Sequence, residues 1–416
     1  MIKIKAFKGW RPRPDLAAQI AALPYDVLSS EEARVAAAGN PYSFLHVSKS
    51  EIDLPPEINP YDESVYLKAA ANLRQMQTAG WLIQENSDAL YIYRQIMDNH
   101  VQYGLVACAY VPDYLEGRIK IHELTREVKE CDRINHVNYT NANTGPVFLT
   151  YRAQAEIDAH IKHYTMTHEP LYDFTTTDNI RHTLWVITDR DLIHKLVTFF
   201  EQIPCAYVAD GHHRAKSAAM VGKMRATVNP HHRGDEEYNW FLAAFFPHDQ
   251  LQILDYNRLV KDINGLSPDV FLAQISEKFE ITPVIGSDQA HPRSAREFGM
   301  YLPGQWYRLV ARVGTFTADD PVASLDVSIL QNNLLAPVLG IADPRRDERI
   351  DFVGGIRGLT ELQKRVDSGE MAVAFALYPT SVEQLMEIAD AGKIMPPKST
   401  WFEPKLRSGL VIHMLE

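Results

Sequence analysis

Cysteine is scarce in this chain. Its 416 residues include three, Cys108, Cys131 and Cys205, widely separated. There is no Cys-x-x-Cys pair, which excludes a thiolate zinc knuckle, and a small odd number fits a reducing compartment better than a disulfide scaffold. Long apolar runs are missing too. The longest, such as residues 372–378, fall far short of a membrane span, and the first ten residues hold no apolar signal core. A cytoplasmic protein without a membrane partner is expected. Basic residues are outnumbered, 42 Lys and Arg against 53 Asp and Glu, for a net charge of −11. A protein that coats nucleic acid needs the opposite balance, so none is expected as a partner. Gly-x-Gly-x-x-Gly, the Walker A loop, Gly-x-Ser-x-Gly and His-Glu-x-x-His are all absent. A Rossmann site, a P-loop, an ordinary α/β-hydrolase and a zincin lose their support.

What is present is ordinary globular material: 46% hydrophobic and 23% charged residues. The length asks for two lobes or one elaborated domain. No repeat period appears, and helical and strand patterns alternate instead. Helices are predicted over 62–79, 189–200, 213–224, 268–279, 324–339 and 381–391. Strands are predicted over 1–7, 183–188, 206–209, 240–246, 251–254 and 372–378. Hairpins are predicted over 89–111 and 299–309. This is an α/β (α+β) pattern of mixed sheets with flanking helices. The polar, turn-rich run 229–235 suggests lobes of 1–235 and 236–416.

The sharpest local feature is Asp210-Gly211-His212-His213-Arg214, between a predicted strand and a predicted helix. A glycine turn into a helix aims backbone N–H groups at an anion, above all phosphate. Arg214 adds a forked guanidinium, and Asp210 falls at the strand's carboxyl end, where ligands of open sheets collect. The alternative is an Asp cap beside two incidental histidines. A second constellation runs from Lys120 to His136. A helix from Thr125 would align Arg126, Lys129 and Arg133 as a phosphate-gripping stripe, with Glu123 just before it as a general base. The competing reading is a solvated helix with ion pairs along its face. Lys398 stands in a proline-stiffened loop that could cover a site, and Asp26 could reach a ligand. His122, Glu123, His212 and His213 could also form a metal site if the fold brings them together, which would suit a metal-dependent hydrolase.

Several runs carry a family resemblance. They are Leu23-Pro-Tyr-Asp-Val27, Asn40-Pro-Tyr-Ser-Phe-Leu-His-Val47, His122-Glu-x-Thr125, Lys129-Glu-x-Asp-Arg133, Gly145-Pro-Val-Phe-Leu-Thr150, the 210–214 box, Asp351-Phe-Val-Gly-Gly-Ile-Arg357 and Met395-Pro-Pro-Lys-Ser-Thr400. By these the chain resembles the domain-of-unknown-function 1015 family (DUF1015). The box itself is similar to the phosphate-binding box of ParB/sulfiredoxin-like free serine kinases. That narrower resemblance implies a ParB/sulfiredoxin-like core elaborated by a second lobe. It also implies phosphate transfer from ATP or ADP, with Mg2+, to a small hydroxyl substrate such as free L-serine. Glu123, Asp210 and His213 would be catalytic, with Asp210 on Mg2+. Gly211, His212, Arg214, Lys129, Arg133 and Lys398 would hold the nucleotide; His122, Arg126 and Asp26 would hold the acceptor. A non-catalytic nucleotide-binding regulator is the third reading.

Overall fold

A computed structural model describes residues 1–416 as two compact units. Unit 1 comprises Met1–Leu251 and Pro404–Glu416; unit 2 comprises Gln252–Glu403. The architecture is mixed α/β, sheets with flanking helices, as the alternating pattern implied. No helix is long and apolar enough to cross a membrane.

Unit 1 is organised around a nine-stranded mixed sheet. Its strands are β1 (Ile4–Lys5), β2 (Leu90–Met97), β3 (His100–Tyr110), β4 (Ile119–Lys120), β5 (Val147–Tyr151), β6 (Tyr172–Thr175), β7 (Arg181–Ile187), β8 (Ala206–Asp210) and β9 (Trp240–Pro247). The spatial order is β4-β8-β5-β9-β3-β2-β7-β6, with β1 on β3. The pairs β4–β8 and β5–β9 are parallel, and the remainder antiparallel. The all-apolar run Val147–Leu149 and the run Phe241–Phe246 are buried throughout, as strands covered on both faces must be. Helices α1 (Ser30–Ala37), α2 (Glu63–Thr78), α3 (Glu127–Thr140), α4 (Ala155–Thr167), α5 (Arg190–Phe200) and α6 (His212–Val228) complete the unit. Asp62 and Asp189 cap α2 and α5 with their carboxylates, which is why those starts were legible. The predicted strand over 1–7 contracts to β1, because the Lys3 N–H leaves the ladder for the Asp113 carboxylate.

Pro404–Glu416 returns to unit 1. Ser408 bridges Ala22, Ile412 bridges Trp10, and His413–Met414 pairs with Ala142–Asn143. The division therefore differs from the expected 235/236 boundary. β9, just beyond that boundary, is a central strand between β5 and β3, so the unit cannot close before it.

Unit 2 begins with β10 (Gln252–Leu254) and continues through β11 (Tyr256–Val260), α7 (Pro268–Ser276), β12 (Phe279–Val284), β13 (Glu297–Leu302), β14 (Gln305–Ala311), α8 (Asp326–Leu330), β15 (Ile350–Gly354), α9 (Gly358–Asp367), β16 (Val373–Leu377), α10 (Val382–Asp390) and β17 (Trp401–Glu403). Six strands form an antiparallel sheet in the order β12-β14-β13-β16-β11-β15, and β10 pairs with β17. The single helix expected over 324–339 is instead α8 followed by a π-turn, Gln331–Leu335. The Asn333 amide donates to the carbonyls of Ile329 and Thr315, and this side chain competes with the regular ladder.

Two buried histidines in unit 1 make stability depend on pH. His136 on α3 meets the Val47 carbonyl at 2.9 Å, and burial, then the Arg133 charge, push its pKa down to about 4. His182 on β7 lies 2.7 Å from the Tyr93 hydroxyl and accepts from Arg407 Nε at 3.2 Å. Burial, then Arg407, push its pKa down to about 3. Both native values lie below the unfolded value of about 6.5, so the unfolded chain binds more protons in between and stability rises with pH. This stability is complete above about pH 7 and declines as pH falls below about 6.5, by roughly 2–3 kcal/mol per pH unit for the pair. The urea midpoint is expected to drop clearly between pH 7 and pH 5. A flat midpoint would show that these rings are not held neutral.

Candidate functional site

β8 supplies the start of the site. Val208 pairs with Leu149 and Asp210 with Phe148, so Ala209 is an extra residue, a bulge that re-aims the strand end. Gly211 follows at φ +91°, and α6 starts at His212. Two facts demand glycine there. The backbone is left-handed, and a Cβ would stand 2.9 Å from Arg214 Nε.

Asp210 is held on both oxygens. Oδ1 accepts the Gly211 N–H at 2.8 Å, and Oδ2 lies 3.2 Å from Lys405 Nζ and 4.0 Å from Arg214 Nη2. Burial opposes ionisation, but the Lys405 and Arg214 charges win and hold the carboxyl well below the usual carboxylate range. The carboxylate expected to meet Mg2+ thus has two cations beside it, Lys405 and Arg214.

Arg214 is the reverse case. Its Nη1 donates to the Pro146 carbonyl at 2.5 Å, and Nη2 stands 3.8 Å from Asp26. Nε is buried with no hydrogen-bond partner. Buried donors are almost always paired, so this one marks a place where an acceptor belongs. Arg133 is a second guanidinium, half-buried. It lies 4.0 Å over the Tyr25 ring, its Nε reaches Asp132 at 2.9 Å, and with Tyr25, Arg214, Ser217 and Ser408 it lines one cavity.

The expected basic stripe divides. Arg126 has extended backbone ahead of α3, which starts at Glu127 rather than Thr125. Arg126 and Lys129 are exposed, and the Lys129 ammonium sits over the Tyr61 ring at 5.3 Å, so only Arg133 of the three turns inward. The Arg126 N–H donates to His213 Nε2 at 3.1 Å, tying the box to the loop before α3. Lys398 belongs to unit 2, where its ammonium lies over Tyr256 at 5.6 Å.

His122 and His212 meet edge to face, with centroids 4.4 Å apart. Both are buried, His212 at 6% exposure. Burial pushes the His122 pKa down to about 4, against the Asp210 charge and a hydrogen bond to the Val208 backbone. Burial, then the neighbouring His122, push His212 further down. One ligand atom each from His122, Glu123 and His212 falls within a 4.8 Å cluster. Glu123 therefore does reach the box, despite the long stretch of chain between them.

Lys405 was missed by sequence reasoning. The sequence offered only a faint signal, Lys405 and Arg407 on either side of Leu406 just ahead of the apolar Leu410-Val411-Ile412; both are buried, which for a charged side chain requires a partner. Tyr25, which the sequence analysis gave no role, stacks on Arg133.

No curated protein matches the chain. Among solved structures, a free serine kinase in complex with AMP aligns over 72% of this chain and 86% of its own, at 11% identity and TM-score 0.33. A conserved hypothetical protein from Pyrococcus furiosus aligns over 73% and 93%, at 12% identity and TM-score 0.36. SbnI with C-terminal truncation from Staphylococcus aureus aligns over 72% and 82%, at 10% identity and TM-score 0.36. The family model described as "Protein of unknown function (DUF1015)" matches residues 4–328, and the chain belongs to that family.

Proposed function

We propose that unit 1 binds ATP or ADP by its phosphates at the 210–214 turn and transfers the terminal phosphoryl group to a small hydroxyl substrate, free L-serine being the first to test. The observation that carries this reading is the Arg214 Nε, a buried atom without a hydrogen-bond partner, at the start of a long helix. The first N–H groups of a helix have no intrahelical acceptor, and with a guanidinium beside them they form an anion site. Asp210 acts as a positioning residue. Bound to the Gly211 N–H and Lys405, it fixes the turn while its charge is cancelled.

In the reaction, the acceptor oxygen attacks the terminal phosphorus as the bond to the bridging oxygen breaks. The hydroxyl proton passes to the Glu123 carboxylate, and the nucleotide leaves one phosphate shorter. Charge spreading over the transferred oxygens is met by Arg214 and the helix N-terminus, already in place. Buried, neutral His122 and His212 flank Glu123 without adding charge there.

The test is incubation of the full chain with ADP or ATP and a panel of hydroxyl amino acids and hydroxy acids, read by mass spectrometry. O-phosphoserine is the expected product. Glu123→Gln is expected to lower kcat about 100-fold, the usual worth of a general base, with nucleotide Kd unchanged. No phosphorylated product from any acceptor with either nucleotide would remove the reading.

A further inference from the structure

Beyond phosphate transfer, we infer that His122, Glu123 and His212 form a binding site for a Zn2+-class divalent cation, with two imidazoles and one carboxylate as ligands. Three donor atoms, two from the adjacent residues 122 and 123 and one from the distant residue 212, fall within 4.8 Å of one another, and all three belong to residues buried or half-buried. An ion bonded at about 2.0–2.2 Å to each would draw such a cluster together by roughly an ångström, a side-chain adjustment.

The independent pointer is His212 Nε2. It is buried, has no hydrogen-bond partner in the protein, and belongs to a ring that gives the cluster one of its donors. A buried ring nitrogen without a partner in the protein is costly unless something binds there. A hydrogen bond to the Val208 backbone orients the His122 ring, the kind of contact that orients metal-bound histidines.

The donor set selects the class of ion. Two nitrogens and one oxygen suit Zn2+, Co2+ or Fe2+, whereas Mg2+ and Ca2+ prefer all-oxygen shells. Three protein ligands leave a fourth position for water or an anion. His213 does not belong to the set, because its Nε2 accepts the Arg126 N–H. The inference does not depend on phosphate transfer. A carboxylate bonded to a metal ion cannot also take a proton, so turnover through Glu123 is expected from the metal-free protein.

The test uses Co2+ as probe. Chelator-treated, dialysed full-length protein is titrated with Co2+ in the absence of nucleotide, following the visible absorption of low-coordinate Co2+. One ion per chain is expected, displaced by Zn2+. His212→Ala, and the bulkier His212→Gln should alanine not fold, are expected to weaken binding about 100-fold or more; His122→Ala and Glu123→Gln should do likewise. His163→Ala, at an exposed position on α4, is expected to bind as the parent does. Absence of saturable binding, or stoichiometric binding unaffected by His212→Gln, would overturn the site. A phosphoryl-transfer assay on the same metal-free sample is a separate readout, so either idea can fail while the other stands.

Discussion

Replacing Arg214 by alanine is expected to weaken binding of ADP about 10²–10³-fold. The estimate follows from losing a desolvated, charge-assisted contact, about 3–4 kcal/mol at 1.4 kcal/mol per decade. The side chain is the buried donor of the site whose Nε has no partner, so its loss removes a phosphate contact more than an internal bond. Arg214→Lys keeps the charge but not the fork, and an affinity between those of parent and alanine variant is expected. Calorimetric titration with ADP and with inorganic phosphate reads both, and circular dichroism confirms the fold. The phosphate assignment would be lost if Arg214→Ala bound ADP as tightly as the parent, or if lysine restored binding in full. Because Asp26 and Asp210 would be left facing each other with less cation between them, some loss of stability accompanies the change.

Lys405→Met should produce the largest loss of stability, about 3–5 kcal/mol, as expected when one partner of a buried pair is removed. Methionine keeps the stem and removes the charge, leaving Asp210 with Arg214 at 4.0 Å as its nearest remaining cation. The Asp210 carboxyl is held below its unfolded range, so its contribution is present above about pH 4 and is lost as pH falls through the lower native value. The difference between parent and variant in urea midpoint should therefore be wide at pH 7 and narrow sharply near pH 2–3. An equal difference at both pH values would assign the effect to packing of the lysine stem rather than to its charge.

Much of this was readable beforehand, for local reasons. The helix from residue 63 and the turn at 210–214 announce themselves through caps and a glycine that only one backbone shape accommodates. The hairpin of β2 and β3 shows as two β-rich runs around a polar turn. The rest depends on partners distant in sequence. Nothing near Lys405 says that its carboxylate is Asp210, 195 positions earlier. The charge run 120–136 reads as one basic face, yet whether a given residue turns inward was decided by Tyr25 for Arg133 and by Tyr61 for Lys129. The boundary was placed at a polar turn, and a central strand lay just past it. Asn333 broke a helix because two carbonyls stood within reach of its amide, a fact of tertiary arrangement.

The return of residues 404–416 to unit 1 has a consequence for biosynthesis. The box, its turn and Glu123 are all translated before the second unit, whereas the lysine that neutralises Asp210 is translated after it. While the ribosome reads the second unit, the nascent first unit carries at the heart of its binding notch a carboxylate with Arg214 but not Lys405 beside it, and lacks the backbone bridges to Ala22 and Trp10. A nascent chain stalled anywhere in that interval holds every proposed phosphate ligand of the box, yet cannot complete the notch that seats them.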